Sequence, residues 1–172
     1  ELLNKYLISN GKNTLLTREP GAKGLGEKIR EILLNYDGEV SSNCESFLFL
    51  ADRAQHVDCI IKPSLKKGIT VLCDRHIDST VAYQGYARGF DIEQINLLNK
   101  IATKGLVPDL TFLFDIDIET AQTRIGKNKD RLEKESADFH NRVREGYLKN
   151  IGIISKNIFL LNSSYSCILV NN

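Results

Sequence analysis

Three arginines and one phenylalanine carry the clearest chemical signal in this sequence. Arg18 lies in Thr17-Arg18-Glu19-Pro20-Gly21, and Arg75 in Asp74-Arg75-His76. A guanidinium pairs two oxygens of a phosphate at once and keeps its charge at any useful pH. Each arginine also has a plainer reading, an ion pair with a neighbouring carboxylate. Phe49 and Arg53 stand four apart within Phe49-Leu50-Ala51-Asp52-Arg53, so on a helix they share a face. A ring beside a cation suits a nucleotide: the ring stacks on a base, and the cation meets a phosphate or a base carbonyl. Periodicity alone would put Phe49 in the core.

The elements that must position these residues alternate between strand and helix. Leu2, Leu3, Tyr6 and Leu7 recur at helical spacing up to a stop at Asn10-Gly11. Asn13–Thr17 reads as a strand, and Leu25–Asn35 as a helix with Ile29, Ile32 and Leu33 inward. A long helix follows over Cys44–Ile61, with Pro63 marking a break or restart. Ile69–Cys73 is a compact apolar run, the pattern of a buried parallel strand. A helix is expected near Asp78–Gln84, and another to Ala102 capped by Asp91 with Gln94. Leu110–Phe114 is a strand, and Asp117 can cap the helix Ile118–Ile125. Asp130–Asn150 reads as one long charged helix and Ile158–Leu161 as a last strand. The pattern is a single α/β domain with a parallel sheet. In such sheets ligands sit beyond the carboxyl ends of the strands, where Arg18, Asp74-Arg75 and the turn after Asp115 fall.

Composition narrows the classes. Charged residues make up 26% and the formal net charge is +1, which gives no general reason for nucleic acid or a membrane surface as partner. No apolar run approaches the ~20 residues of a membrane span. Cys44, Cys59, Cys73 and Cys167 form no CxxC pair and sit near no histidine at metal-ligand spacing. Reduced thiols suit a cytoplasmic setting, and Cys73 reads as a buried thiol.

Longer segments are more specific together than any residue alone. Leu16 to Gly21, Phe49 to His56, Cys73 to Gly85, Ala102 to Thr111 and Phe139 to Leu148 closely resemble bacterial thymidylate kinases, in order and spacing, from Glu1 to about Leu161. That family has the P-loop nucleoside monophosphate kinase fold, a three-layer parallel sheet with helices on both faces and a helical lid. The resemblance implies ATP-dependent phosphorylation of dTMP to dTDP, with Mg2+ accompanying ATP, in a homodimer. It implies that Phe49 stacks on thymine and that Arg53 bonds a thymine carbonyl. Arg18, Arg30 and Arg75 would hold the dTMP phosphate, with Pro20 and Glu19 in the same loop. Thr80 and Gln84 match positions facing the base, and Tyr83 one that crowds the sugar 2′ carbon. Asp74 matches a residue near the magnesium. The lid would span about 124–135, with Arg124, Lys127, Lys129 and Arg131 as its cations. Arg75, Asp74, Arg131 and Lys127 would serve the transfer itself, although Arg131 is also placed to pair with Glu133 or Glu135.

One family part has no counterpart in these residues. A P-loop reads G-x-x-x-x-G-K-[ST], its backbone N–H groups wrapping phosphates. Gly11-Lys12-Asn13 and Gly126-Lys127-Asn128 end in neither serine nor threonine, and Tyr6 and Ala121 stand where the first glycine belongs. The expectation is therefore an incomplete copy of a longer protein. Without a central strand, two strand pairs would face each other across roughly 9–10 Å. The alternatives are a degenerate relative that binds nucleotides or partners without turnover, or a deoxynucleoside kinase. Against the latter, a nucleoside brings no phosphate for Arg18, Arg53 and Arg75.

Overall fold

The computed structural model describes residues 1–126, 129–151 and 157–162. Strands and helices alternate as expected: α1 (Leu2–Ser9), β1 (Thr14–Arg18), α2 (Leu25–Asn35), α3 (Ser42–His56), α4 (Lys62–Lys66), β2 (Thr70–Asp74), α5 (Ile77–Thr80), α6 (Ile92–Thr103), β3 (Thr111–Asp115), α7 (Ile118–Arg124), α8 (Ala137–Lys149) and β4 (Ile158–Asn162). The architecture is mixed α/β, parallel strands with helices around them.

The strands form two parallel pairs. β1 lies beside β2 with Thr14 opposite Thr70, and β3 beside β4 with Thr111 opposite Ile158. Among the described residues no strand joins the pairs into one sheet. Apolar side chains on the strands stay open as a result: Leu16, Phe112, Phe114, Phe159 and Leu160 are all exposed.

Two helical stretches differ from what periodicity suggests. α3 does not stop near Pro63. It widens into a π-helical segment, Val57–Ile61, and continues as α4 to Lys66. Pro63 has no N–H to donate to the turn before it, which fits the widening of the helix just ahead of it. α5 likewise widens into a π-helical segment, Val81–Ala87. π turns recur at functional sites and leave no periodic trace in sequence.

The long helix expected over Asp130–Asn150 begins only at Ala137, because Ser136 is its cap: the Ser136 hydroxyl accepts from Phe139 N–H at 3.1 Å. Asp130 instead caps a separate turn, accepting from the N–H groups of Leu132 and Glu133, both at 2.9 Å. The caps at Asp91 and Asp117 form, each accepting from the N–H three residues on. Ile29 and Leu33 are buried, but Ile32 is exposed beside Tyr36, Val40 and Leu48. The apolar residues Leu2, Leu3 and Tyr6 of α1 are exposed as well.

The best packed core joins α8 to the Val81–Ala87 segment, through Phe139, Val143, Ala82 and Ala87. Gly146 permits this approach. A Cβ there would lie 2.9 Å from Ala82 Cα and 2.9 Å from Tyr86 Cβ. No helix among the described residues is long and apolar enough to cross a membrane.

Candidate active site

The carboxyl ends of β1 and β2 open onto α3, and one side chain organises the junction. Arg53 is 2% exposed. Its Nε donates to Glu19 Oε2 at 2.8 Å, its Nη1 to Asn99 Oδ1 at 2.7 Å and to Thr80 Oγ1, and its Nη2 to the His76 carbonyl at 2.9 Å. A guanidinium has five N–H donors. Four are placed by protein acceptors, so the plane is fixed and one Nη2 N–H is left over.

Glu19 holds the other end of this network. Its Oε1 accepts from His56 Nδ1 at 2.9 Å and His76 Nδ1 at 3.1 Å. Burial works to raise the Glu19 pKa, but Arg53 and the two imidazole N–H groups outweigh it and hold the carboxyl far below the ordinary range. Glu19 is therefore an acceptor only. Each histidine thus presents an Nδ1–H to it, and His56 Nε2 shares a 2.8 Å hydrogen bond with Thr17 Oγ1. Ligand atoms of Glu19, Cys73 and His76 lie within 4.8 Å of one another. Both Glu19 oxygens are already engaged, so the group reads as a hydrogen-bond network. Burial raises the Cys73 thiol, which keeps it protonated.

The loop after β1 is held by the preceding residue of α3 as well. Asp52 Oδ1 accepts Gly21 N–H at 3.1 Å, while its Oδ2 is buried without a hydrogen bond. Burial first, and the nearby Glu19 charge after it, raise Asp52 to about 6 against the pull of Gly21 N–H. Gly21 has φ 105°, a left-handed value that favours glycine. A Cβ there would also meet Arg30 Cδ at 2.5 Å. Arg30 uses that space to donate to the Pro20 carbonyl at 2.9 Å, across the cis Glu19–Pro20 peptide.

Three guanidinium groups gather at this loop. Arg30 sits below its ordinary pKa, first through burial and then through the like charges of Arg18 and Arg75. Cations close enough to oppose one another's charge make a site for an anion. Arg18 is the exposed last residue of β1. Arg75 follows β2 with φ 65°, and its Nη1 lies 3.2 Å from Tyr147 Oη and 3.4 Å from Tyr83 Oη. Its guanidinium lies over the Tyr83 ring at 5.3 Å. Tyr147 Oη also shares a 2.6 Å hydrogen bond with Ser79. Asp74 is exposed at the strand end, and its carbonyl accepts Glu19 N–H at 2.9 Å.

The facing helices make two rungs. Glu45, Phe49 and Arg53 stand at four-residue intervals along one stripe of α3. Arg53 bonds Thr80, and Glu45 Oε1 accepts from Gln84 Nε2 at 3.1 Å. Phe49, half-buried, stands between the rungs.

Glu45 itself is fully buried. Besides Gln84 it accepts from Arg88 Nε at 3.1 Å, Arg88 Nη2 at 3.0 Å and Arg131 Nη1 at 2.7 Å. Arg131 also donates from Nε to the Leu33 carbonyl at 2.9 Å. The pairing weighed for Arg131, with Glu133 or Glu135, is therefore replaced by one with Glu45; Glu135 pairs with Arg88 at 2.6 Å. Of the other lid cations, Arg124 and Lys129 are exposed, and Lys127 lies outside the described residues. Asp115, at the end of β3, is held by Arg144 Nε and Nη2 at 2.6 and 2.8 Å. Glu45 and Asn99 went unremarked in the sequence, since each acts across elements, and His56, His76 and Tyr147 were given no role of their own within the segments that contain them.

The chain matches the thymidylate kinase family model over residues 1–172. It is 52% identical over 149 residues to a thymidylate kinase of Sulfurihydrogenibium sp. (strain YO3AOP1), covering 86% of this chain and 73% of that protein. It is 48% identical over 150 residues to a thymidylate kinase of Thermoanaerobacter sp. (strain X514), covering 87% and 74%. The crystal structure of thymidylate kinase from Ehrlichia chaffeensis superposes with a TM-score of 0.75 at 34% identity, covering 98% of this chain and 81% of that one.

Proposed function

The chain belongs to the thymidylate kinase family, enzymes that phosphorylate dTMP with ATP, and we propose that its dTMP site is the cleft between the β1 and β2 ends and α3. Phe49 stacks on the thymine. The leftover Nη2 N–H of Arg53 donates to a thymine carbonyl, with Thr80 and Gln84 along the base. Arg18, Arg30 and Arg75 receive the phosphate. Tyr83, fixed under Arg75, crowds the sugar 2′ carbon and disfavours a ribose. Pro20 and Glu19 shape the loop, Glu19 by holding Arg53.

The observation that carries this reading is the convergence of Arg18 and Arg75 on Arg30, whose charge they oppose, beside a guanidinium with one donor to spare. A doubly charged phosphate relieves the first, and a carbonyl satisfies the second. Transfer is direct and in line, so the protein's part is positioning and charge neutralisation. Arg75 is the arginine placed to follow the moving phosphoryl group. The exposed Asp74 carboxylate is a hard oxygen donor of the kind magnesium takes. Magnesium accompanying ATP would supply charge neutralisation there. Arg124, Lys127 and Lys129 serve the lid over ATP, and Arg131 anchors the lid to Glu45. A cytoplasmic setting suits the free thiols Cys44, Cys59 and Cys73. Homodimerisation through helices is favoured by the exposed Phe47 of α3 and Leu97 and Ile101 of α6.

The test is equilibrium binding of dTMP and of thymidine to the protein and to Arg75→Ala. Removing a charge-assisted hydrogen bond costs about 1.5–3 kcal/mol, so dTMP should bind roughly 10- to 100-fold more weakly. Thymidine binding should not change. A variant that binds dTMP as tightly as the parent overturns the site, and tighter binding of thymidine than of dTMP points to a nucleoside kinase.

A further inference from the structure

The second rung, Glu45 to Gln84, is not needed to hold Arg53, and its chemistry carries further. Glu45 is fully buried and receives four N–H donors, from Gln84, Arg88 twice and Arg131. Burial raises its pKa, but the bonds from Arg88 and Arg131 outweigh it and lower the net value. A carboxylate so held only accepts. Of the two ends of the Gln84 amide, only the NH2 can face it. The direction of that amide is therefore dictated by charge, and its carbonyl Oε1 is the end turned from Glu45. Gln84 is itself 1% exposed and follows Thr80 by one turn on the surface facing α3.

Resting on the dTMP site proposed above, we infer that Glu45 is a positioning residue for base recognition: it turns Gln84 so that the pocket offers an acceptor at one rung and the Arg53 donor at the other, with Phe49 between them. That pair matches the imide edge of a pyrimidine, a ring N–H beside a carbonyl. Thymine and uracil have this edge. Cytosine reverses it, with a bare ring nitrogen beside an amino group, and meets both rungs wrongly. Glu45 thus sets selectivity between bases without touching the nucleotide, through a pairing of two residues far apart in sequence.

Calorimetric binding of dTMP, dUMP and dCMP tests this in the parent, in Glu45→Gln, in Glu45→Asp and in Gln84→Met. In Glu45→Gln the facing amide accepts either end of Gln84, so the direction is lost. Affinity for dTMP and dUMP should fall together by about tenfold, as for one buried hydrogen bond lost, while dCMP holds or gains. The Gln84 side-chain NH2 resonances should shift in the 15N–1H spectrum, which packing damage elsewhere would not cause. Glu45→Asp keeps a carboxylate, which only the NH2 end of the amide can face, and should lower the dTMP to dCMP ratio less. Gln84→Met should lower it as much as Glu45→Gln, and adding Glu45→Asp to it should lower it no further. If Glu45→Gln does not fold, the other two variants decide. An unchanged dTMP to dCMP ratio in Gln84→Met, or in any folded Glu45 variant, overturns the inference. Failure of the parent to bind dTMP would instead sink the site reading itself.

Discussion

At the scale of single residues, two buried carboxyls one helix apart respond oppositely to pH. Asp52 is raised from its ordinary 3.8 to about 6 by burial and by Glu19, with His56 and Arg53 opposing. A folded pKa above the unfolded one means the native state binds the extra proton. Its contribution to stability is therefore full below pH 3.8 and falls as pH rises to about 6. Asp52→Asn removes this dependence, so its melting temperature should gain on the parent across that window. Glu19 has the reverse sign: its support is present above its ordinary 4.5 and is lost on acidification. Glu19→Gln strips the buried Arg53 of its counter-charge and should cost about 3 kcal/mol, read as a drop in denaturant midpoint at neutral pH. A variant as stable as the parent would show that the Glu19–Arg53 pair contributes nothing net. The sequence made part of this legible. Phe49 and Arg53 share a stripe by spacing alone, and the arginines at the strand ends stand out by type. His56, Asn99 and Glu45 did not, because their partners, Glu19, Arg53 and Gln84, lie on other elements, and periodicity reports only a residue's own helix.

At the scale of elements, the pairing of α8 with the Val81–Ala87 segment rests on a close backbone approach. Gly146→Ala places a methyl 2.9 Å from Ala82 Cα. Overpacking of this kind costs about 1–3 kcal/mol. It should also push Tyr147 off Arg75 and Ser79, weakening dTMP binding along with stability; unaltered dTMP affinity in the variant would separate the packing from the site. The strands and most helix positions were legible from apolar runs and caps. The two π-helical widenings were not, since one inserted residue leaves composition unchanged. The start of α8 was masked by Asp130, which looks like a cap and is one, but for a different turn. The inward assignment of Ile32 failed because spacing sets only a shared face: Ile32 stands at the edge of that face, in an open hollow with Tyr36, Val40 and Leu48.

At the scale of the whole molecule, the strands among the described residues stand in two pairs, β1 with β2 and β3 with β4. A backbone bond, Arg131 N–H to the Leu34 carbonyl at 3.1 Å, and several side chains tie the second pair to the rest. Arg144 clasps Asp115 at the end of β3, and Arg131 reaches from the segment after α7 to Glu45 and the Leu33 carbonyl. The expected consequence is uneven protection. In hydrogen exchange, amides of β3 and β4 should open more readily than those of α3 and α6, and Arg144→Ala should widen the difference. Uniform exchange across both strand pairs would contradict it.

Among the described residues, β4 is linked to the arginine cluster through β3, the Arg144–Asp115 clasp, the α8 packing and the Arg131 contacts with α2 and Glu45. Salt that screens the partly exposed Arg144–Asp115 clasp should therefore loosen the β3–β4 pair while leaving the nucleotide cleft in its shape.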